Sequence, residues 1–380
     1  MTAKLAVVSA GCCAMLSAQS TWVVNAAGGS GVHFPDLPSA VAAPNVVDGD
    51  TILVHTGPSQ QGADAFTSNK GLTIVGVGGM VPLYTDAANR IVVIGLPAGR
   101  AFRMVGFDQP TRGSLNFWLV GNAGEVHLEQ ISAHDPGLSF PTWPAIDIQS
   151  CASVTLRDVE TFGAPAVSCT ASRLALVSCR LGRSDLGLGG GQALLATGSA
   201  VDIVQPDFDP QGWSAGTVVS TNGTLRIAGD TTSLLSGGGG TPIVANGGLV
   251  FVDPAVPMPS PSGPPITGTA VVTFVSVPAS WTSAAGQLLK IVSTAAPGAF
   301  VFQALGAPGP LTTTPLGELG IDPLQWYGFF APLPMSAAGV AAHTINVPAA
   351  LPRGLAFASQ SLVLNGPLLQ LGLPVTFVLH

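Results

Sequence analysis

Glu125-Val126-His127-Leu128-Glu129 and, one unit later, Ser153-Val154-Thr155-Leu156-Arg157 carry the pattern that decides the fold. In both, apolar residues alternate with polar ones, the period of a strand that buries one face. The triplet at their centre recurs as Val126-His127-Leu128, Val154-Thr155-Leu156, Leu174-Ala175-Leu176, Val201-Asp202-Ile203, Leu225-Arg226-Ile227 and Leu249-Val250-Phe251, with spacings of 28, 20, 27, 24 and 24 residues. Turn-forming clusters such as Thr221-Asn222-Gly223 lie between the triplets. Repetition at this period is the signature of a solenoid. A lone strand cannot bury its apolar face, so successive coils stack, each strand on its equivalent about 4.8 Å away. Ile52-Leu53-Val54, Leu72-Thr73-Ile74-Val75 and Ile91-Val92-Val93 extend the series towards the N-terminus. About nine coils fit between Trp22 and Pro254 on this reading.

Composition narrows the function classes. The 380 residues hold 13 Lys+Arg against 20 Asp+Glu, a net charge of −7, and only 9% are charged, where soluble domains average about 25%. A nucleic-acid binder needs a basic face, which this chain cannot supply. With 48 Gly and 32 Pro, a helix bundle is excluded, because interior Gly and Pro cost about 1 and 3 kcal/mol each. Hydrophobic residues at 47% argue against disorder.

Met1–Ala18 reads as a secretory signal peptide: Lys4, then an apolar run from Leu5 to Leu16, then small residues before Gln19. The expected location is therefore secreted, extracellular or cell-surface. Cleavage removes Cys12 and Cys13 and leaves Cys151, Cys169 and Cys179. Export permits a disulfide, although three small buried thiols fit the pattern as well, and the sequence does not fix a pairing. Beyond the signal no apolar run reaches about 18 residues, so no membrane span is expected. Oligomeric state is not legible.

The opening of the mature chain resembles a known family. Trp22-Val-Val-Asn-Ala-Ala-Gly-Gly-Ser-Gly31, Leu37-Pro-Ser-Ala-Val41, Asp48-Gly-Asp-Thr-Ile-Leu-Val54 and Lys70-Gly-Leu-Thr-Ile-Val-Gly76 are similar to the start of right-handed parallel β-helix proteins of the pectin-lyase-like superfamily. The resemblance implies a Gly-rich start, a short helical cap and then the first two coils. It covers residues 22 to 80 by motif and extends to about 252 by periodicity alone. Its implication is for fold, because the superfamily includes lyases, hydrolases, esterases and non-catalytic proteins.

Six prolines between Pro254 and Pro265 predict a semi-rigid linker over 253–265. Beyond it, short apolar strings such as Thr269–Phe274, Leu288–Val292, His343–Val347 and Ala356–Leu364 predict a C-terminal β-sandwich over 266–380. Ile345-Asn-Val-Pro348 and Leu355–Leu364 resemble a C-terminal module of secreted bacterial proteins, which implies no activity. The expected class is all-β: signal peptide 1–18, β-helix 19–252, linker and sandwich.

Alternation places Val126 and Leu128 inward and Glu125, His127 and Glu129 outward. Stacking sets Thr155 beside His127 and Arg157 beside Glu129, and carries Ala175, Asp202 and Arg226 into the His127 row. Glu125, His127, Glu129, Arg157 and Asp158 thus form a candidate polar patch. A carboxylate or imidazole base beside a guanidinium is the equipment of uronate elimination, with His127, Glu129 and Arg157 as the catalytic candidates. The plainer reading is an exposed Glu129–Arg157 ion pair. His134, Asp135, Asp147 and Glu160 lie close in sequence but lack metal-site spacing, so no metal site is expected. Trp143, held between Pro141 and Pro144, offers an aromatic surface to a sugar ring, a buried Trp being the commoner reading, and Trp213 lies in the Asp207–Trp213 corner, a candidate binding protrusion that turn chemistry explains equally well. The hydrolase branch of the superfamily resembles a run with paired aspartates, His-Gly and Arg-x-Lys, none of which occurs here. No cofactor is expected, calcium being the one ion that the lyase branch raises.

The leading expectation is a secreted or cell-surface β-helix that displays a carbohydrate-binding or adhesive surface, its partner a polysaccharide or cell-surface glycan. The alternative is a polysaccharide-degrading enzyme, a lyase ahead of a hydrolase. The third is a structural surface or matrix protein without a ligand.

Overall fold

The computed structural model describes residues 19–379 apart from 56–63, 84, 86–89, 109–114, 135–143, 163–164, 183–191, 210–216, 231–232, 236–240, 261–262, 286–287 and 349–350. The chain is all-β: a parallel solenoid of about seven turns, followed by antiparallel sheets. The expected signal peptide, Trp143 and Trp213 lie outside the described residues.

Each coil contributes to three faces. The first face carries the triplets and runs in unbroken parallel register from Thr21–Val24 to Val271–Phe274. The second runs from Thr67–Ser68 to Ile266–Gly268. The third is shorter, from Val81–Pro82 to Leu234–Leu235. Complete turns therefore number about seven rather than nine. Ile91-Val92-Val93, read from sequence as a first-face coil, belongs to the second face, stacked on Phe117–Leu119. Phe102-Arg103-Met104 is the first-face member at that level.

The corners are single left-handed residues. Gly121, Ser150, Ala171, Gly198 and Asn222 turn the chain between the second and first faces with φ of 60°, 53°, 47°, 58° and 53°. Glycine takes this conformation without cost, whereas Ser and Ala store strain there. Just past these turns, side chains form a buried hydrogen-bonded ladder: Cys151 N donates to Ser172 Oγ (2.9 Å) and Ser172 N to Ser199 Oγ (3.2 Å). One coil earlier, Asn122 accepts from Leu96 N and donates to Val93 O, both at 2.9 Å. The interior is apolar, with Phe102, Phe107, Phe117 and Phe208 as its largest fully buried side chains.

The N-terminal end is closed. Helix Leu37–Ala42 starts at Asp36, whose Oδ1 accepts Ser39 N (2.7 Å), and buries Leu37, Ala40 and Val41 against the core. Lys70 Nζ satisfies the carbonyls of Val41 and Ala43 at its other end (2.8 and 2.9 Å). Buried Asp50 accepts from Ser20 N, Val47 N and Trp22 Nε1 at 2.8–2.9 Å. Val23 O accepts His33 N and Phe34 N (2.9 and 3.2 Å), so the outer edge of the first strand is occupied.

The Pro-rich stretch is not a linker. Val256 is buried in the solenoid core, and Asp253 accepts Ala255 N and Val277 N (2.9 and 3.1 Å). Ile266–Gly268 and Val271–Phe274, expected in the sandwich, complete the last coil. The antiparallel part begins at Ala279–Ala285, which pairs with Leu288–Thr294 and through it with Val340–Asn346. A second sheet is built on Phe300–Thr314, Gly317–Phe329 and Ala356–Asn365. The two sheets meet through Leu289, Ile291, Phe357 and Phe377. Between them lies a buried polar chain, Ser280, Ser293, Gln303 and Ser359, with links of 3.0, 2.8 and 2.6 Å.

Candidate functional site

Parallel register brings the expected residues together. Thr155 lies beside His127 and Arg157 beside Glu129, and Ala175, Asp202 and Arg226 follow in the His127 row. The last triplet is shifted by one: Val250, not Leu249, stacks on Leu225, which carries Phe251 into the His127 row. A one-residue slip exchanges inward and outward side chains; Val250 and Val252 are accordingly buried and Leu249 exposed.

The correction concerns solvent. This face was expected to be open, but the antiparallel sheets pack along it and cover the row. Glu129 is 0% exposed, and His127, Arg157 and Asp202 are also buried. Val177, Val204 and Ala228 on the solenoid close against Val277, Ala279, Trp281, Val292, Leu373 and Val375. At the far end of the same face, Gly354 sits against Thr51 and Thr73.

Two ionic clusters cross the junction. In the first, Glu129 Oε1 accepts Arg157 Nη1, and Glu129 Oε2 bonds His127 Nε2 (2.8 Å) and accepts Val378 N from the last strand (2.8 Å). Arg157 Nη2 donates to Thr282 O (3.2 Å) and faces Asp158 Oδ2 (3.1 Å). In the second, Arg173 and Arg226 both bind Asp202 and both reach Glu318 across the junction. Glu125, half-buried, lies 4.0 Å from Arg103. Five carboxylates, Glu125, Glu129, Asp158, Asp202 and Glu318, thus face four guanidinium groups, Arg103, Arg157, Arg173 and Arg226.

Burial holds the His127 imidazole below its ordinary value of 6.5 despite the attraction of Glu129. Glu129 is held low because Arg157 and His127 outweigh the cost of its burial. Glu318 falls to about 2, its desolvation overcome by Arg173 and Arg226. Burial raises Glu125, with Arg103 opposing. Among the described residues His127 Nδ1 and Arg157 Nε have no hydrogen-bond partner. The adjoining cavity, lined by Glu125, His127, Thr155, Arg173, Asp202 and Leu373, measures about 50 Å³. That holds about three or four waters; ligand pockets run from about 300 Å³.

Among the described residues, no three His, Cys, Asp or Glu side chains converge as a metal site. Asp147 accepts Gln149 Nε2 (2.9 Å) and Glu160 pairs with Arg180 (3.1 Å). Cys151, Cys169 and Cys179 are buried free thiols. No helix among the described residues is long and apolar enough to cross a membrane.

Sequence reasoning missed two sets of residues. The partners from the C-terminal sheets, Glu318, Thr282 and Val378, carry no local signal. The second set is a run in the edge strand Gly317–Phe329, Pro323-Leu-Gln-Trp-Tyr-Gly-Phe329, exposed at every position. Leu324 is 91% and Phe329 62% exposed. Trp326 and Phe329 stack at 4.8 Å and 20°, and Tyr327 packs edge-on against Phe357. Asp322 accepts Leu324 N and Gln325 Nε2 (2.9 and 2.8 Å) where the register of the strand pair shifts. Its aromatic density was the available signal, in a chain with 6% aromatics and two tyrosines.

No protein-family model and no curated protein matches the chain. Among solved structures it is similar to the chitinase ChiW from Paenibacillus sp. str. FPU-7, a bacterial cell-surface-expressed multi-modular enzyme machinery, at 12% identity and a TM-score of 0.17. The match covers 94% of this chain, which spans about a quarter (23%) of that one.

Proposed function

We propose that this is a secreted or cell-surface display scaffold of the right-handed, pectin-lyase-like β-helix kind, holding a carbohydrate-binding surface on its C-terminal sheets. The observation that carries the reading is the exposed run Pro323–Phe329. Consecutive exposed apolar residues are costly to keep unless they bind something. Trp and Tyr offer flat apolar faces with polar tips, which suit the C–H face of a pyranose, while Gln325 and Asp322 supply hydrogen-bonding groups for hydroxyls. The junction supports the reading, because two buried ionic clusters and an apolar seam fix the sheets on the solenoid. The enzyme reading draws less support, since Glu129 and Arg157 are buried and His127 lines a cavity of about 50 Å³, well below the size of ligand pockets.

The test is retention of the full chain on insoluble cellulose, chitin and mannan, and on acidic pectate and alginate gels. Retention on at least one neutral glycan is expected, insensitive to salt because no ion pair is used. Trp326→Ala should weaken it about tenfold, equivalent to about 1.4 kcal/mol. No retention on any matrix, or retention unchanged by Trp326→Ala, overturns the assignment.

A further inference from the structure

We infer that two copies of this chain join end to end through the last solenoid coil, the Val271–Phe274 strand of one copy pairing antiparallel with that of the other. Val271–Phe274 pairs on one side with Leu249–Val252. Among the described residues no strand lies on its other side. Val275 N reaches Val252 O (3.0 Å), so by alternation the N–H groups of Val272 and Phe274 face the open edge. The side chains are as uncovered as the backbone: Val271 is 62% and Phe274 57% exposed, and Val272 and Val275 are exposed with them.

Open edges are ordinarily protected by charges, by proline in the strand or by a covering segment. Among the described residues this one has none of the three. From Pro254 to Leu289 the sequence contains no Asp, Glu, Lys or Arg, and its prolines cluster before the strand rather than in it. A neutral face meets its own copy without the like-charge cost that a charged face would incur.

The other end of the solenoid decides the geometry. There the edge of Thr21–Val24 is taken by His33 and Phe34, the core is stoppered by helix Leu37–Ala42, and Asp36 and Asp48 stand at the rim. A head-to-tail stack needs that edge and is blocked. The open end can meet only another open end, about a two-fold axis, and such a contact closes at two copies instead of growing into a fibre. This inference does not depend on glycan binding.

The experiment is sedimentation of the full chain from about 1 to about 100 μM, where mass action reveals a reversible dimer. A mass of two chains is expected, falling to one for Val271→Lys/Phe274→Lys. Thr273→Lys, which changes only an outer-face residue, is the second variant should the first not fold, and thermal melting checks both. Leu324→Ser should leave the dimer intact. A single-chain mass throughout overturns the inference, as do a dimer that survives the lysines and a continuous series of larger polymers.

Discussion

Replacing Glu129 by Gln keeps its volume and one accepting oxygen for the Val378 amide, and removes its charge together with the acceptor that meets Arg157 Nη1. What remains is Arg157, almost fully buried, with Thr282 O and the partly exposed Asp158 as its neighbours. Uncompensated buried charges cost about 3–5 kcal/mol. Asp158, 3.1 Å from the guanidinium, puts the expected loss at the lower end, about 3 kcal/mol. With a urea slope near 3 kcal/mol per M, the midpoint should fall by about 1 M. Urea titration followed by tryptophan fluorescence is the assay, because Trp281 lies in the apolar seam beside the cluster. The double variant Glu129→Leu/Arg157→Met should recover most of the loss, since apolar replacements of a buried pair are often neutral or stabilising. A cost below about 1 kcal/mol for Glu129→Gln, the value of an exposed pair, would refute the claim that the cluster is sealed at the junction.

Acid should loosen the protein, and the sign follows from His127. Its pKa is lower folded than unfolded, so the unfolded chain binds more protons and stability falls as pH drops below about 6.5, by about 1.4 kcal/mol per pH unit until the folded value is reached. Glu129 and Glu318, both lowered on folding, add to the loss below about 4.5, while Glu125, raised by burial, opposes it above that value. In His127→Gln the fall in stability between pH 6.5 and 5 should disappear, leaving only the opposing contribution of Glu125, and an unchanged fall would assign the effect to another group. Burial pushes the Cys169 and Cys179 thiols up to about 11 and 12; with Cys151 they should resist a thiol reagent at pH 8 in the native protein and react on unfolding, as mass spectrometry of the labelled peptides would report.

The solenoid was legible because its stacking is a local pattern repeated. Alternation in Val126–Leu128 and Val154–Leu156 fixes which side chains face the core, and the repeat then fixes their neighbours on the next coil. The pattern failed where apolar residues stand at adjacent positions. In Leu249-Val-Phe-Val252 two registers each bury two of the four apolar side chains, and only the stacked coil decides between them. The Pro-rich stretch was misread for a related reason: proline specifies an extended backbone but not whether a core lies beneath it. The C-terminal sheets were legible as strands and not as a partner, because Glu318 meets Arg173 across 145 residues and no local period records such a contact.

A sequence signal for the covered face nonetheless exists, one position beyond each triplet. Leu72-Thr-Ile-Val75, Leu174-Ala-Leu-Val177, Val201-Asp-Ile-Val204 and Leu225-Arg-Ile-Ala228 each add an apolar residue on the outward side. A strand apolar on both sides is one covered on both sides. In a solenoid, outward names a direction relative to the coil and does not guarantee contact with water. Within that outward column, Glu129 and Arg157 are the polar exceptions, and they occupy adjacent coils. Two opposite charges flanked along the column by Val105 and Val177 mark a paired charge inside a seam, because an isolated charge there would have no compensating partner. Burial of the column and pairing of its exceptions follow from one premise, that a second layer lies over this face; the chain past Val277 supplies it with Thr282, Val375 and Val378.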